Sequence, residues 1–199
     1  IFDPKTKNFT KVNSKNNTYI SGITIDDIQT MFIDSNENVW AGSWSNGLFL
    51  LKNGTRKFIN YNTNNTSEFD TNIILSFAED SKGFIWIGTF YGGVFVYNPQ
   101  TNKFQKFTSQ EFSKFNLQNS AVRKVLVDIN DNVWIGSTEG LFRLKQREDN
   151  SFSVESMVEK MLGQHMSETS GSHILSLYES SDGVIWIGTR GAGLCKYNV

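Results

Sequence analysis

Few residue types in this 199-residue chain can do chemistry, and their spacing narrows what they can do. Neither of the two histidines, His165 and His173, stands in a metal-spaced cluster with Cys, Asp or Glu. The single cysteine, Cys195, rules out an internal disulfide and reads as a small buried hydrophobe beside Lys196. No G-x-S-x-G nucleophile motif and no phosphate loop occurs. Gly191-Ala192-Gly193 is a turn set rather than a dinucleotide fingerprint, because no helix follows. The one acid–base pair on offer is His173 with Glu139, which an enzyme reading would need close together. No cofactor, no metal and no catalytic set is therefore expected. What the chain does offer is binding chemistry. Trp44 and Tyr91 offer aromatic stacking surfaces. Arg123 and Arg190 supply hydrogen-bond forks for hydroxyls, with Glu139 and His173 as further polar candidates.

A repeated frame must position these residues. Residues 183–194 read G-V-I-W-I-G-T-R-G-A-G-L, and 83–94 read G-F-I-W-I-G-T-F-Y-G-G-V. Residues 38–48 (N-V-W-A-G-S-W-S-N-G-L) and 132–141 (N-V-W-I-G-S-T-E-G-L) repeat the pattern. The anchors Trp40, Trp86, Trp134 and Trp186 thus recur about every fifty residues, the mark of a repeat architecture. Each copy has an apolar strand, a polar turn rich in Asp, Asn and Gly, and the Trp strand ending in Gly-Ser or Gly-Thr. A second turn and a third strand follow, and in the first three copies a Phe-containing fourth strand. Asp and Asn bond their own backbone in such turns and Gly accepts positive φ. Four short antiparallel strands per repeat make one blade of a β-propeller, so the chain is read as all-β, one propeller segment over residues 1–199.

A blade cannot bury its own faces and must stack on its neighbours. A Trp on the second strand fills the wedge, burying roughly 150–250 Å². At about 25 cal/mol/Å² that is roughly 4–6 kcal/mol as an upper bound. The Gly two residues later leaves room for the next blade. The four anchor tryptophans are thus scaffold. The loops between second and third strands vary on this fixed frame: Trp44 and Asn46, Phe90 and Tyr91, Thr138 and Glu139, and Arg190. The starts of the inner strands add Asp27, Asn72, Arg123 and His173, on the same face. Variation on a constant frame is what a binding face shows.

A formal net charge of −1 and a pI near 6.2 supply no basic field for nucleic acid. No apolar run is long enough for a membrane-spanning helix. Phe2-Asp3-Pro4-Lys5-Thr6-Lys7-Asn8-Phe9 matches Tyr97-Asn98-Pro99-Gln100-Thr101-Asn102-Lys103-Phe104, so the first residues are expected to be a third strand, a turn and a fourth strand. The chain stops at Tyr197-Asn198-Val199 in a third strand. Either it is a slice of a longer propeller, or its last blade takes its outer strand from the N-terminus. Among the links, 62–72 is polar and Asn-rich, and 109–120 holds one helical turn over Glu111–Phe115. Met157, Val158, Met161 and Leu162 recur at helical spacing, predicting a short helix over about 155–163.

The run I-L-S-F-A-E-D-S-K-G-F-I-W-I-G-T-x-x-G-G-V-x-x-Y-N-P at 74–99 resembles the two-component regulator propeller repeat. The resemblance covers nearly the whole chain through four copies. Glu37 and Asp131 depart from it where the repeat has Gly, and Ser180 replaces the turn Asp. It implies a segment of a seven-bladed propeller in the periplasmic sensor region of a hybrid histidine kinase. The implied ligand is an oligosaccharide, and the implied partners are further blades and downstream domains of the same protein. On that reading this segment is no enzyme. Two alternatives stay open: a structural or homodimerising propeller segment without ligand, and a propeller enzyme similar to streptogramin lyase.

Overall fold

The computed structural model describes residues 2–9, 27–158 and 173–199. Their strands form four antiparallel sheets and one hairpin. Blade 1 is β3 (Ile28–Ile33), β4 (Val39–Ser43), β5 (Leu48–Leu51) and β6 (Ile59–Tyr61). Blade 2 is β7 (Ile74–Glu79), β8 (Ile85–Thr89), β9 (Val94–Asn98) and β10 (Lys103–Lys106). Blade 3 is β11 (Val122–Val127), β12 (Val133–Ser137), β13 (Leu141–Gln146) and β14 (Phe152–Ser156). Blade 4 shows β15 (Ile174–Glu179), β16 (Val184–Thr189) and β17 (Leu194–Asn198). Spatial order follows sequence order in each, and β3, β7, β11 and β15 lie side by side as the innermost strands. The fold is the expected all-β propeller arrangement of blades.

The core is three seams rather than one ball. One joins Trp40, Leu48 and Leu50 to Ile74, Phe77, Ile85 and Tyr97 of the next blade. The second joins Trp86 and Val94 to Val122, Val125, Ile135 and Leu144. The third joins Trp134 and Leu141 to Ile174, Leu177, Ile185 and Ile187. Trp40, Trp86 and Trp134 are all but fully buried there. Trp186 holds the same register, opposite Tyr178 and Lys196, as Trp86 opposite Ala78 and Val96. It is nonetheless 38% exposed, because no blade packs on it among the described residues. The glycine two residues after Trp40, Trp86 and Trp134 has its expected reason. A Cβ on Gly42 would stand 2.7 Å from Ile74, one on Gly136 2.6 Å from Ile174, and one on Gly88 2.8 Å from the Val122 carbonyl.

Two features of the turns were not foreseen. First, the turn Asp does more than bend the chain. Asp34, Asp80 and Asp128 each accept the indole N–H of the Trp six residues on, at 2.8, 2.9 and 2.7 Å. Each also accepts backbone amides of its own turn. Second, the turns hold adjacent blades together. The Ser35 amide and hydroxyl donate to Glu79, those of Ser81 to Asp131, and the Ile129 amide to Glu179. The departures at Glu37 and Asp131 leave turn geometry intact. Both adopt a φ of 61°, near the 80° and 79° of Gly83 and Gly183.

The N-terminal hairpin, β1 (Phe2–Asp3) and β2 (Asn8–Phe9), has the expected identity. Phe2 faces Phe9 as Tyr97 faces Phe104, and Lys7 shares the left-handed φ of Asn102. It forms its own two-stranded sheet and does not supply blade 4 with an outer strand. The link after blade 2 holds α1 (Gln110–Lys114), capped by the Ser109 hydroxyl on the Phe112 amide, and a 3-10 turn over Leu117–Asn119. Phe112 and Leu117 are fully buried, so this link seals the seam. The expected helix over 155–163 is corrected at its start: Glu155 and Ser156 close β14, where pairing with β13 overrides the helical spacing. Met157 is buried and follows β14. Met161, Leu162 and His165 lie outside the described residues.

Candidate functional site

Each loop between second and third strands is anchored by the same backbone bond. The amides of Trp44, Phe90, Thr138 and Arg190 donate to the carbonyls of Asp27, Ile73, Ala121 and His173, at 2.9–3.1 Å. These four loop residues are therefore equivalent points on one face, each tied to the start of its own inner strand. The Ser or Thr that ends the Trp strand clamps the loop further. The hydroxyls of Ser43, Thr89, Ser137 and Thr189 donate to the carbonyls of Gly47, Gly93, Gly140 and Gly193. Sequence reasoning recorded the Gly-Ser or Gly-Thr ending but gave the hydroxyl no role. The receiving glycines all have positive φ, and at Gly47 a Cβ would come within 2.2 Å of the Tyr61 carbonyl.

On this frame the side chains diverge. Trp44 and Tyr91, in different blades, are 42% and 66% exposed. They are joined through Phe90, whose ring lies 5.4 Å from Trp44 and 4.1 Å from Tyr91, tilted in both pairs. The result is an aromatic strip across the first seam, with half-buried Phe90 as its middle ring. Sequence reasoning placed Phe90 in the variable loop without seeing that it bridges the other two. Tyr91 holds a φ of 64° where the fourth repeat has Gly191. A bulky residue in that region costs about 1–2 kcal/mol. That cost is spent holding an exposed ring in place. Gly92 follows because a Cβ there would meet Thr71, Thr89 and Asp70 within 2.8 Å. The loop thus rests on the link, where Thr71 donates to the Phe90 carbonyl and Asp70 pairs with Lys106.

The polar candidates are spread around the face rather than gathered. Every innermost strand slips register after its first residue, leaving Gln29, Leu75, Arg123 and Leu175 as bulge residues. Arg123, half-buried, is the cationic one. Beside it on β11, burial pushes the Lys124 amine down. Arg190 and Glu139 are exposed, and the Thr138 hydroxyl reaches the Glu139 carboxylate at 3.4 Å. His173 is half-buried, and its recorded part is its carbonyl, which anchors Arg190. Among the described residues no hydrogen bond or ion pair joins His173 to Glu139. Among the described residues no three of His, Cys, Asp and Glu gather to hold a metal ion.

The family model described as two component regulator propeller matches residues 68–91 and 169–191. These two copies carry Gly83 and Gly183 at the turn where the others have Glu37 and Asp131. No curated protein matches the chain. Among solved structures, it resembles the extracellular domain of a hybrid two component system from B. thetaiotaomicron, with TM-score 0.72 and 17% identity over 96% of this chain and 23% of that one. A second such domain from the same organism gives TM-score 0.59 and 20% identity over 98% and 30%. A catalytically inactive virginiamycin B lyase from Staphylococcus aureus gives TM-score 0.59 and 11% identity over 91% and 58%. At these identities the likeness shows the propeller fold. The chain spans 23% and 30% of the length of the two hybrid-system domains.

Proposed function

We propose that this propeller, two of whose repeats are two component regulator propeller repeats, is part of an extracytoplasmic receptor that binds an oligosaccharide without turning it over. The observation that carries this is the Trp44–Phe90–Tyr91 strip. Three rings, two of them well exposed, sit on loops whose backbone is fixed identically in all four blades. The sugar's CH faces stack on Trp44 and Tyr91, and Arg123 and Arg190 offer N–H forks to hydroxyls farther round the face. Similarity to extracellular domains of hybrid two component systems supports the extracytoplasmic setting. Signalling passes from the propeller to a kinase in the same protein. A homodimer fits the same reading, with one binding face per copy. Calorimetric titration with a panel of neutral and acidic oligosaccharides tests the reading. Saturable binding with no change in the glycan supports it; glycan cleavage, or no heat from any member, contradicts it.

A further inference from the structure

The seam between blades 2 and 3 differs from the other two. At the first seam the third-strand Tyr97 lies edge-on against Trp40, with centroids 5.0 Å apart. At the third, Tyr197 meets Trp134 at 5.4 Å. At the second seam the corresponding residue is Leu144, and Trp86 is met by Phe107 at 5.3 Å and Phe152 at 5.4 Å. A groove of about 670 Å³ opens there. One wall runs from Gln105 to Gln110, the other comes from the β13–β14 hairpin, and Phe84, Trp86 and Val96 form the floor. Such a volume lies within the range of about 300–1,000 Å³ typical of small-molecule sites.

Charge at the groove is one-sided. Lys82, Lys106 and Arg147 line it. Its one carboxylate, Asp80, is occupied by the amides of Lys82 and Phe84 and the Trp86 indole. Lys106 is paired with Asp70, and Arg147 donates to Ser151 close to Asp149. The Lys82 ammonium donates to a neutral partner, the Gln146 amide oxygen, at 2.6 Å. Among the described residues Lys82 thus has only a neutral partner and can take an anion at the mouth of an aromatic groove.

We propose that this groove binds a small aromatic carboxylate. Its ring lies against Phe107, Phe152 and the rim of Trp86, and its carboxylate meets Lys82, with Arg147 alongside. An aryl ring is favoured because the lining rings already meet near 80°, an edge-to-face arrangement that accepts one more ring. It is also favoured because the two sister seams place a phenol ring on the equivalent tryptophan. The site shares no residue with the Trp44–Tyr91 strip, so the two stand or fall separately.

The test is calorimetry with 4-hydroxyphenylacetate, neutral 4-methylphenol and glucuronate. It uses the unmodified chain, Lys82→Glu, Gln105→Trp (which narrows the groove from an exposed wall position) and Trp44→Ala. Expected is saturable binding of 4-hydroxyphenylacetate, at least tenfold weaker for 4-methylphenol. Lys82→Glu and Gln105→Trp should lose at least tenfold, and Trp44→Ala should leave binding unchanged. Absence of binding, equal binding of 4-methylphenol, or tighter binding of glucuronate overturns the proposal. So does full affinity in Lys82→Glu with an unchanged melting curve. The comparison among ligands on the unmodified chain decides the matter even if a variant fails to fold.

Discussion

Removing Asp128 should unlock a blade. This carboxylate is 4% exposed and accepts the amides of Asn130 and Asn132 at 3.0 and 2.8 Å, the Asn132 side chain, and the Trp134 indole at 2.7 Å. Trp134 is fully buried in the third seam, so Asp128→Ala strands its N–H where water cannot reach. A buried donor left without a partner costs about 1–3 kcal/mol. The turn amides are only partly buried and recover bonds from water, so their loss adds about 1 kcal/mol. The expected total is about 2–4 kcal/mol, several times the effect of an ordinary surface change. Asp128→Asn retains an oxygen for the indole and should cost about half as much. Urea unfolding followed by tryptophan emission and circular dichroism measures both. A loss below about 0.5 kcal/mol for Asp128→Ala, or equal losses for the two variants, would refute the reasoning.

Gly88→Ala should destabilise by about 1–3 kcal/mol or more, because its Cβ meets the Val122 carbonyl, which is backbone and cannot turn aside; urea melts against wild type check it. Glu37→Gly should gain up to about 1 kcal/mol by relieving a left-handed residue whose side chain, among the described residues, accepts only from Asn53. Asp131→Gly relieves the same strain but removes the acceptor for Ser81, so it should gain nothing or lose stability, and paired melts of the two separate strain from seam bonding. Burial, with the charges of Tyr61 and Asp34 adding to it, pushes the Tyr97 hydroxyl from 10.0 up to about 12. The unfolded chain therefore gives up this proton first. Stability is intact below pH 10 and falls as pH rises from 10 to about 12, and Tyr97→Phe should flatten that decline in melting temperature.

The blades, their boundaries and the scaffold role of the tryptophans were legible because a repeat announces each element four times. The Asp–Trp bond was legible in principle: a constant six-residue interval in three copies, with Ser180 in the fourth, was its signal. It was missed because Asp already had a sufficient reason to stand in a turn. Phe69 was hidden in an Asn-rich link, yet it is 4% exposed and sits edge-on to Phe95 in the first seam. Composition averages over such a link, whereas a single ring decides where it docks. The bulge at Arg123 leaves no mark in the residue pattern V-R-K-V-L-V of its strand. The aromatic strip was half legible: Trp44 and Tyr91 were evident as rings on equivalent loops, but that Phe90 bridges them depends on how close two blades come.

The most direct test of the account is calorimetry of Trp44→Ala and Tyr91→Ala against the oligosaccharide that binds the unmodified chain most tightly. Losing one stacking ring should weaken binding about tenfold or more, since a ring stacked on a ligand contributes on the order of 1–3 kcal/mol when removed from such a platform. Melting temperatures should stay within about 2 °C of wild type for Trp44→Ala, because its ring is 42% exposed and lies outside the buried cluster of the first seam, meeting Phe90 at the surface. Unchanged affinity in both variants would contradict the account and place oligosaccharide binding away from this face.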